Sequence, residues 1–210
     1  MVEYPKNRIL EKEEIGLKRS LILPFILVLA FSFAAMPAHA DFVAETDYME
    51  KMLAAVQIGD DAAGHAAQES RSEKIDALEL EYEKVDYDEL SLLARLIQSE
   101  AGSAWLDEHW KMAVGEVVLN RVASPEFPDT IRDVILQQGQ YTDAVNWLLP
   151  SYESALAAWK LLEGQRVLNN SAVVFQSNGH QGSGVFLEMQ DAYLGKTYLC
   201  LSNRMELYDN

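Results

Sequence analysis

The sequence is poor in cysteine and in positive charge. One cysteine, Cys200, in 210 residues leaves no intramolecular disulfide possible. Cys200 stands in the apolar run Tyr-Leu-Cys-Leu with no electropositive cluster beside it, so it is expected as a small buried hydrophobe, not a reactive thiol. Lys and Arg number 17 against 33 Asp and Glu, giving a net charge of −16 and a pI near 4.5. Such a surface repels phosphate backbones and anionic membranes, which excludes nucleic acid as a partner. The four histidines, His39, His65, His109 and His180, are scattered. None falls in an HExxH pattern and there is no C-x-x-C, so neither a metal nor a cofactor is expected. There is no internal repeat. What the chain does have is apolar content, 49% of its residues, enough for a sizeable core.

Long apolar runs are nearly absent too. The exception, LILPFILVLAFSFAA at 21–35, follows Lys18 and Arg19 and precedes Ala38-His39-Ala40 and the acidic Asp41. Positive charge, apolar stretch and A-x-A signature together read as a cleaved secretory signal, so 1–40 is expected to be leader and signal peptide. The run is short for a spanning helix and contains Pro24, which argues against a retained anchor. No cysteine follows it, so no lipid anchor is expected there. An exported, extracellular or wall-associated chain follows, with no stable membrane insertion after cleavage. Residues 41–86 are acidic and read as a linker or helical arm. Short helices are expected at 48–57 and 73–84, with the flexible stretch GDDAAGHAAQESRS between them.

From Tyr87 the texture changes, and 87–210 is expected to form the functional domain. Asp88 is placed to cap a helix that carries Leu92, Leu93, Leu96 and Ile97 at helical spacing and ends at Gly102. A second helix is expected over 106–122, with Trp110, Ala113, Val114, Val117 and Val118 on its apolar face. Asp129 is placed to cap a short helix with Ile131, Val134 and Ile135. Another helix is expected over 151–163, stopped by Gly164, with Trp159 on its buried side. Three β-prone runs follow at 172–176, 185–188 and 197–201. Helices followed by a small sheet make an α+β domain.

One charge breaks the pattern. Steps of three and four along the first apolar face lead from Leu96 and Ile97 to Glu100 and Ala101. Glu100 therefore lies on the core-facing side, in the last turn of its helix. Partial burial and the negative end of the helix dipole both raise a carboxyl pKa there. A carboxylic acid still protonated near neutral pH is what cleavage of a glycosidic bond needs. The plain alternative is a structural ion pair with Arg95 or Arg121. Asp107 and Glu108, at a helix start, read as exposed caps. Glu116 and Asn120 face one way and form either a polar cleft wall or a solvated stripe. Trp110 and Trp159 read as core.

The stretch LLARLIQSEAGSAWLDEHWKMAVGEVVLNRVASPEFPDTIRDVILQQGQYT resembles the core of the SleB-type cell wall hydrolases, the spore cortex-lytic enzymes. The matching pieces are LARLIQSEAG, AVGEVVLNRV, FPDTIRDVI and GQYT, in that order, with weaker similarity through AVVFQ to LGKTYLCLS. The resemblance implies a lysozyme-like α+β fold, mainly helical with a small antiparallel sheet near the C-terminus. It implies cleavage of peptidoglycan glycan strands by a lytic transglycosylase-type mechanism, with a single glutamate, Glu100, as general acid and then base. Muramidase-type hydrolysis is the alternative. No metal or cofactor is implied, and the chain is expected to act as a monomer. Gln140 and Tyr141 would line the saccharide groove, Asn120 and Arg121 match the LNR element, and Tyr198 matches an aromatic position near the end.

This sequence departs from the family where many members read E-A-R-G-E. Here Glu100-Ala101 is followed by Gly102-Ser103-Ala104-Trp105, so the arginine and second glutamate are missing. Trp105 offers a stacking face for a sugar instead. The same departure motivates another function class, a non-catalytic peptidoglycan-binding protein of the same fold. With so acidic a surface, a wall polymer must be held by shape, stacking and hydrogen bonds. A thiol- or metal-dependent peptidase lacks its constellations.

Overall fold

The computed structural model describes residues 37–208, except 81, 83, 142, 193 and 194. The apolar run at 21–35 lies outside the described residues. Among those described, no helix is long and apolar enough to cross a membrane.

Among the described residues, six α-helices precede a three-stranded sheet. The helices are α1 (Pro37–Ile58), α2 (Asp61–Ala77), α3 (Tyr87–Ala101), α4 (Glu108–Val122), α5 (Ile131–Ile135) and α6 (Tyr152–Leu162). The strands are β1 (Val173–Ser177), β2 (Gly184–Asp191) and β3 (Gly195–Leu201). They pair antiparallel in the order β1-β3-β2, so the last strand is the central one. This is the α+β order expected from the sequence.

Side-chain caps set the helix starts. Asp60, Asp86, Asp107, Thr130 and Ser151 each accept a hydrogen bond from a backbone N–H in the first turn. Two of these correct the sequence reading by one or two residues. Asp86, not Asp88, caps α3, and Thr130, not Asp129, caps α5. In both cases the neighbouring acidic residue falls on the wrong side of the boundary to reach the third N–H. Helix α6 stops as expected, with Gly164 at φ +91°, where other residues are strained.

The stretch read as a flexible linker is helix α2. Helix α1 also begins well before the expected 48–57 segment, and its first turns include Ala38-His39-Ala40. Both helices pack on the rest of the chain. Met52, Leu53, Val56 and Ala67 share one apolar cluster with Leu90, Leu93, Leu96 and Ile97 of α3 and Trp159 of α6. A second cluster joins Trp110, Ala113, Val114 and Val117 of α4 to Val173, Met189 and Leu199 of the sheet, and it includes Ala101. Helix α3 thus runs from one cluster to the other, and Glu100 sits at the seam. Cys200 is fully buried in β3, as expected of an inert hydrophobe.

Candidate functional site

The C-terminal end of α3 and the inner face of the sheet enclose a pocket of about 290 Å³, lined by Ser99, Glu100, Gln176, Ser177, Asn178 and Thr197. The amphipathic pattern of α3 delivers Glu100 here, because its neighbours Ile97 and Ala101 are fully buried and draw that face inward. The Glu100 carboxyl is half-buried. Its Oε2 accepts a hydrogen bond from Gln176 Nε2 at 3.2 Å. Its Oε1 lies 3.5 Å from the Ser99 hydroxyl, whose hydrogen is better placed on the Leu96 carbonyl at 2.9 Å. Burial pushes the Glu100 carboxyl above the usual carboxylate range, and the Ser99 contact offsets part of that.

The structural ion pair considered for Glu100 is not formed. Arg95 points elsewhere, with Nη1 donating to the Asn146 carbonyl at 3.4 Å. Arg121 is buried and engaged with other acceptors. Its Nε donates to the Val174 carbonyl at 2.6 Å, and Nη1 donates to Gln140 Oε1 at 3.0 Å and to the Tyr141 hydroxyl at 3.2 Å. Its guanidinium also stacks near the rings of Phe127 and Tyr141, at 5.1 and 5.4 Å. Arg121 therefore ties the sheet to the 140–141 loop and orients both loop side chains.

Tyr141 lies in the electrostatic field of Glu100. Burial raises its phenol pKa, Arg121 offsets this, and the Glu100 charge raises it further. Gln140 is exposed apart from its bond to Arg121. Trp105, on the turn between α3 and α4, is 73% exposed. That turn is held from beneath by the buried Lys111, whose ammonium donates to the carbonyls of Ser103 at 3.1 Å and Leu106 at 2.9 Å.

Asn120 is buried, and its amide donates to the carbonyls of Asn170 at 3.3 Å and Val173 at 3.0 Å. Glu116, one turn earlier, accepts from the backbone N–H of Val167 at 2.6 Å and Leu168 at 3.0 Å. This pair forms neither a cleft wall nor a solvated stripe. It fastens the loop that leads into β1. Tyr198 sits opposite Ser177 and Glu188, whereas Thr197 beside it faces the helices; side chains alternate along a strand, so Tyr198 lies on the outer sheet face, edge-on to His180 at 4.6 Å. The structure therefore sets Tyr141 within electrostatic reach of Glu100, joins Gln140 to Tyr141 through Arg121, sets Trp105 on the turn after α3, and leaves Asn120 and Tyr198 out of the pocket lining. Asp107 is the α4 cap and Glu108 pairs with Lys160, as expected of helix-start carboxylates.

Of the pocket residues only Glu100 was singled out in the sequence; Ser99, Gln176, Ser177, Asn178 and Thr197 were not. For Gln176 and Thr197 the signal is faint: each is a polar side chain two residues along its strand from one buried apolar residue, Val174 and Leu199 respectively. Gln176 Oε1 is enclosed and has no hydrogen-bond partner among the described residues. Such a group costs roughly 1–3 kcal/mol. Among the described residues no cluster of His, Cys, Asp and Glu is arranged to hold a metal ion.

Residues 107–191 match the family model described as Cell Wall Hydrolase. That span holds Asn120, Gln140, Tyr141 and Gln176, and begins seven residues after Glu100. No curated protein matches the chain. Two solved structures are similar to it. The catalytic domain of the Bacillus cereus SleB protein is 22% identical, with a TM-score of 0.42 over 55% of this chain and 91% of that one. The catalytic domain of the germination-specific lytic transglycosylase SleB from Bacillus anthracis is 21% identical, with a TM-score of 0.42 over 55% of this chain and 96% of that one. Over residues 107–191, less than half of its length, the chain is thus similar to the cell wall hydrolase family.

Proposed function

We propose that this chain is an exported enzyme that cuts peptidoglycan glycan strands as a lytic transglycosylase, with Glu100 as its single acid and base. The observation that supports this most is the setting of Glu100: half-buried, free of any ion pair among the described residues, and facing a pocket whose other lining groups are neutral. A hydrolase working through two carboxylates keeps the second within about 5–9.5 Å of the first. None of the other residues lining this pocket is acidic.

In this reading the protonated Glu100 gives its proton to the glycosidic oxygen as the C1–O bond breaks and its electron pair goes to that oxygen. The resulting carboxylate then takes the proton of the muramic acid 6-hydroxyl as that oxygen bonds to C1. Tyr141 and Gln140, held by Arg121, line the saccharide path, and Trp105 offers a sugar-stacking face at its rim. The secretory signal expected at 1–40 delivers the domain to its substrate.

Digestion of purified sacculi followed by mass spectrometry tests the chemistry. The expected products end in 1,6-anhydromuramic acid. Reducing-end muramic acid with no anhydro form would establish hydrolysis instead. Sacculus binding without any product would establish a binding protein of this fold.

A further inference from the structure

We propose that Gln176 is a positioning residue that decides which oxygen of the Glu100 carboxyl carries the catalytic proton. The proposal rests on the reading of Glu100 as the acid. Gln176 sits on β1 opposite Leu199 of the central strand, so its backbone is fixed by the sheet ladder and not by a loop. From there it reaches across to α3 and donates from Nε2 to Glu100 Oε2 at 3.2 Å. While the carboxyl is ionised, the reverse amide orientation would set two acceptor oxygens against each other, so only the N–H orientation is attractive.

An N–H aimed at Oε2 keeps that oxygen an acceptor. A protonated hydroxyl oxygen accepts poorly, so protonation is directed to Oε1. The Oε1 side is the freer one. Its neighbour, the Ser99 hydroxyl, stands 3.5 Å away and gives its hydrogen to Leu96 at 2.9 Å. Oε1 is thus the oxygen left to hold a proton and hand it to a leaving group, and later to accept one from an attacking hydroxyl. The other end of the Gln176 amide supports the assignment. Its Oε1 is enclosed and unpartnered among the described residues, so the amide is not held there by its own hydrogen-bonding needs. Only the end that faces Glu100 is used. No anion or cation competes for the pair among the pocket residues, which are Ser99, Ser177, Asn178 and Thr197 besides the two partners.

The test is a carbon-13 titration of the side-chain carboxyls in glutamate-labelled protein, with Glu100→Gln identifying the Glu100 signal, in wild type and Gln176→Met. Removing a donor from the ionised form raises the carboxyl pKa, so the Glu100 midpoint is expected to move up by about 0.5–1 unit. In parallel, the pH profile of kcat on sacculi should show its alkaline limb moved the same way, with the plateau lowered about tenfold as the proton loses its fixed position. Gln176→Ala serves if Gln176→Met does not fold. A merely structural Gln176 would lower stability and leave the midpoint where it is. An unmoved midpoint in a folded variant overturns the proposal. A moved midpoint in a wild-type protein that releases nothing from sacculi upholds the contact and overturns the glycan-cleaving reading instead.

Discussion

Glu100 and Glu116 are both withdrawn from water, on adjacent helices, and they are held in opposite ways. Glu116 is only 2% exposed, and two backbone N–H groups, from Val167 and Leu168, converge on one of its oxygens at 2.6 and 3.0 Å. Glu100 is less buried, has one amide donor at 3.2 Å, and faces a pocket. Depth of burial therefore does not separate the proposed acid from a structural carboxylate. A carboxylate whose lone pairs are met by fixed backbone donors is a structural fastener. One that is desolvated, sparsely bonded and open on one side can exchange a proton.

The largest expected effect tests that distinction directly. Glu100→Gln should lower activity on sacculi by about 10²–10⁴-fold, the usual contribution of general acid–base catalysis. Its stability should hold or rise. The raised Glu100 pKa means the folded state favours the neutral form, so stability is fully present at low pH and falls as pH rises through the Glu100 titration. A neutral Gln removes that loss. The wild-type activity should show the matching limb, falling with rising pH at a midpoint above the ordinary carboxylate range. A limb within the ordinary range, or full activity in Glu100→Gln, would break the comparison.

Glu116→Ala is the mirror experiment. It leaves two buried N–H groups without an acceptor, at roughly 1–3 kcal/mol each, so a loss of about 3–5 kcal/mol is expected in denaturant unfolding. Any activity lost should track the folded fraction. A stable Glu116→Ala protein with no activity would make Glu116 a second chemical carboxylate and return the reading to hydrolysis.

The acidic N-terminal helices extend the same contrast to a cation. Arg71 of α2 is 2% exposed and bonds Glu45 of α1, with Nε at 2.6 Å and Nη2 at 2.5 Å. It also meets Glu163, just beyond α6, at 3.5 Å and lies over the Trp159 ring at 5.0 Å. Arg71→Met leaves Glu45 and Glu163 partly buried and unpaired, which costs about 3 kcal/mol. The expected readout is a lowered unfolding midpoint with no change in kcat below it. Cooperative loss of the whole domain, and not of α1 and α2 alone, is expected from the shared apolar cluster. Two separate transitions would show that these helices are the detachable arm the sequence suggested.

How much of this was legible follows from where the partners lie. Helix α3 was readable because its apolar face recurs at short spacing, and that face alone carried Glu100 inward. Helix α4 was placed close to its observed bounds, but the surroundings of its polar residues were not readable, because it is buried on nearly all sides. Glu116 and Asn120 read in sequence as a cleft wall or a solvated stripe, yet both are buried, as are Lys111 and Arg121 on the same helix. For Glu116, Asn120 and Arg121 the acceptors or donors that settle this stand about 50 residues away, where periodicity has no reach. Gln176 was missed for the same reason, its partner being 76 residues distant. Helix α2 was taken for a linker because its small and polar residues carry little apolar signal. Gly64 in it lies so close to the Tyr87 ring that an added Cβ would meet Cε2 at 2.0 Å, so its smallness serves packing, not flexibility. The resemblance supplied what local pattern could not for the 140–141 loop, whose two side chains meet at Arg121.

The smallest expected effect concerns two exposed tryptophans. Trp105 and Trp147 are 73% and 69% exposed, so exposure does not separate them. Position does. Trp105 is on the turn that leaves Glu100, held by Lys111, whereas Trp147 follows the 3-10 turn Asp143–Asn146, which contacts Arg95 on α3. With a sugar–indole contact taken to be worth as much as an aromatic pair, about 0.5–1.5 kcal/mol beyond area burial, Trp105→Ala should weaken glycan binding by roughly two- to tenfold. The Glu100→Gln background allows binding to sacculi to be measured without turnover. Trp105→Phe should retain most of the affinity, since a ring face remains. Trp147→Ala should leave it unchanged, and neither exposed site should move stability by more than about 0.5 kcal/mol. If Trp147→Ala weakens binding as much as Trp105→Ala does, the saccharide path does not leave Glu100 along the 103–106 turn, and the stacking role assigned to Trp105 is wrong.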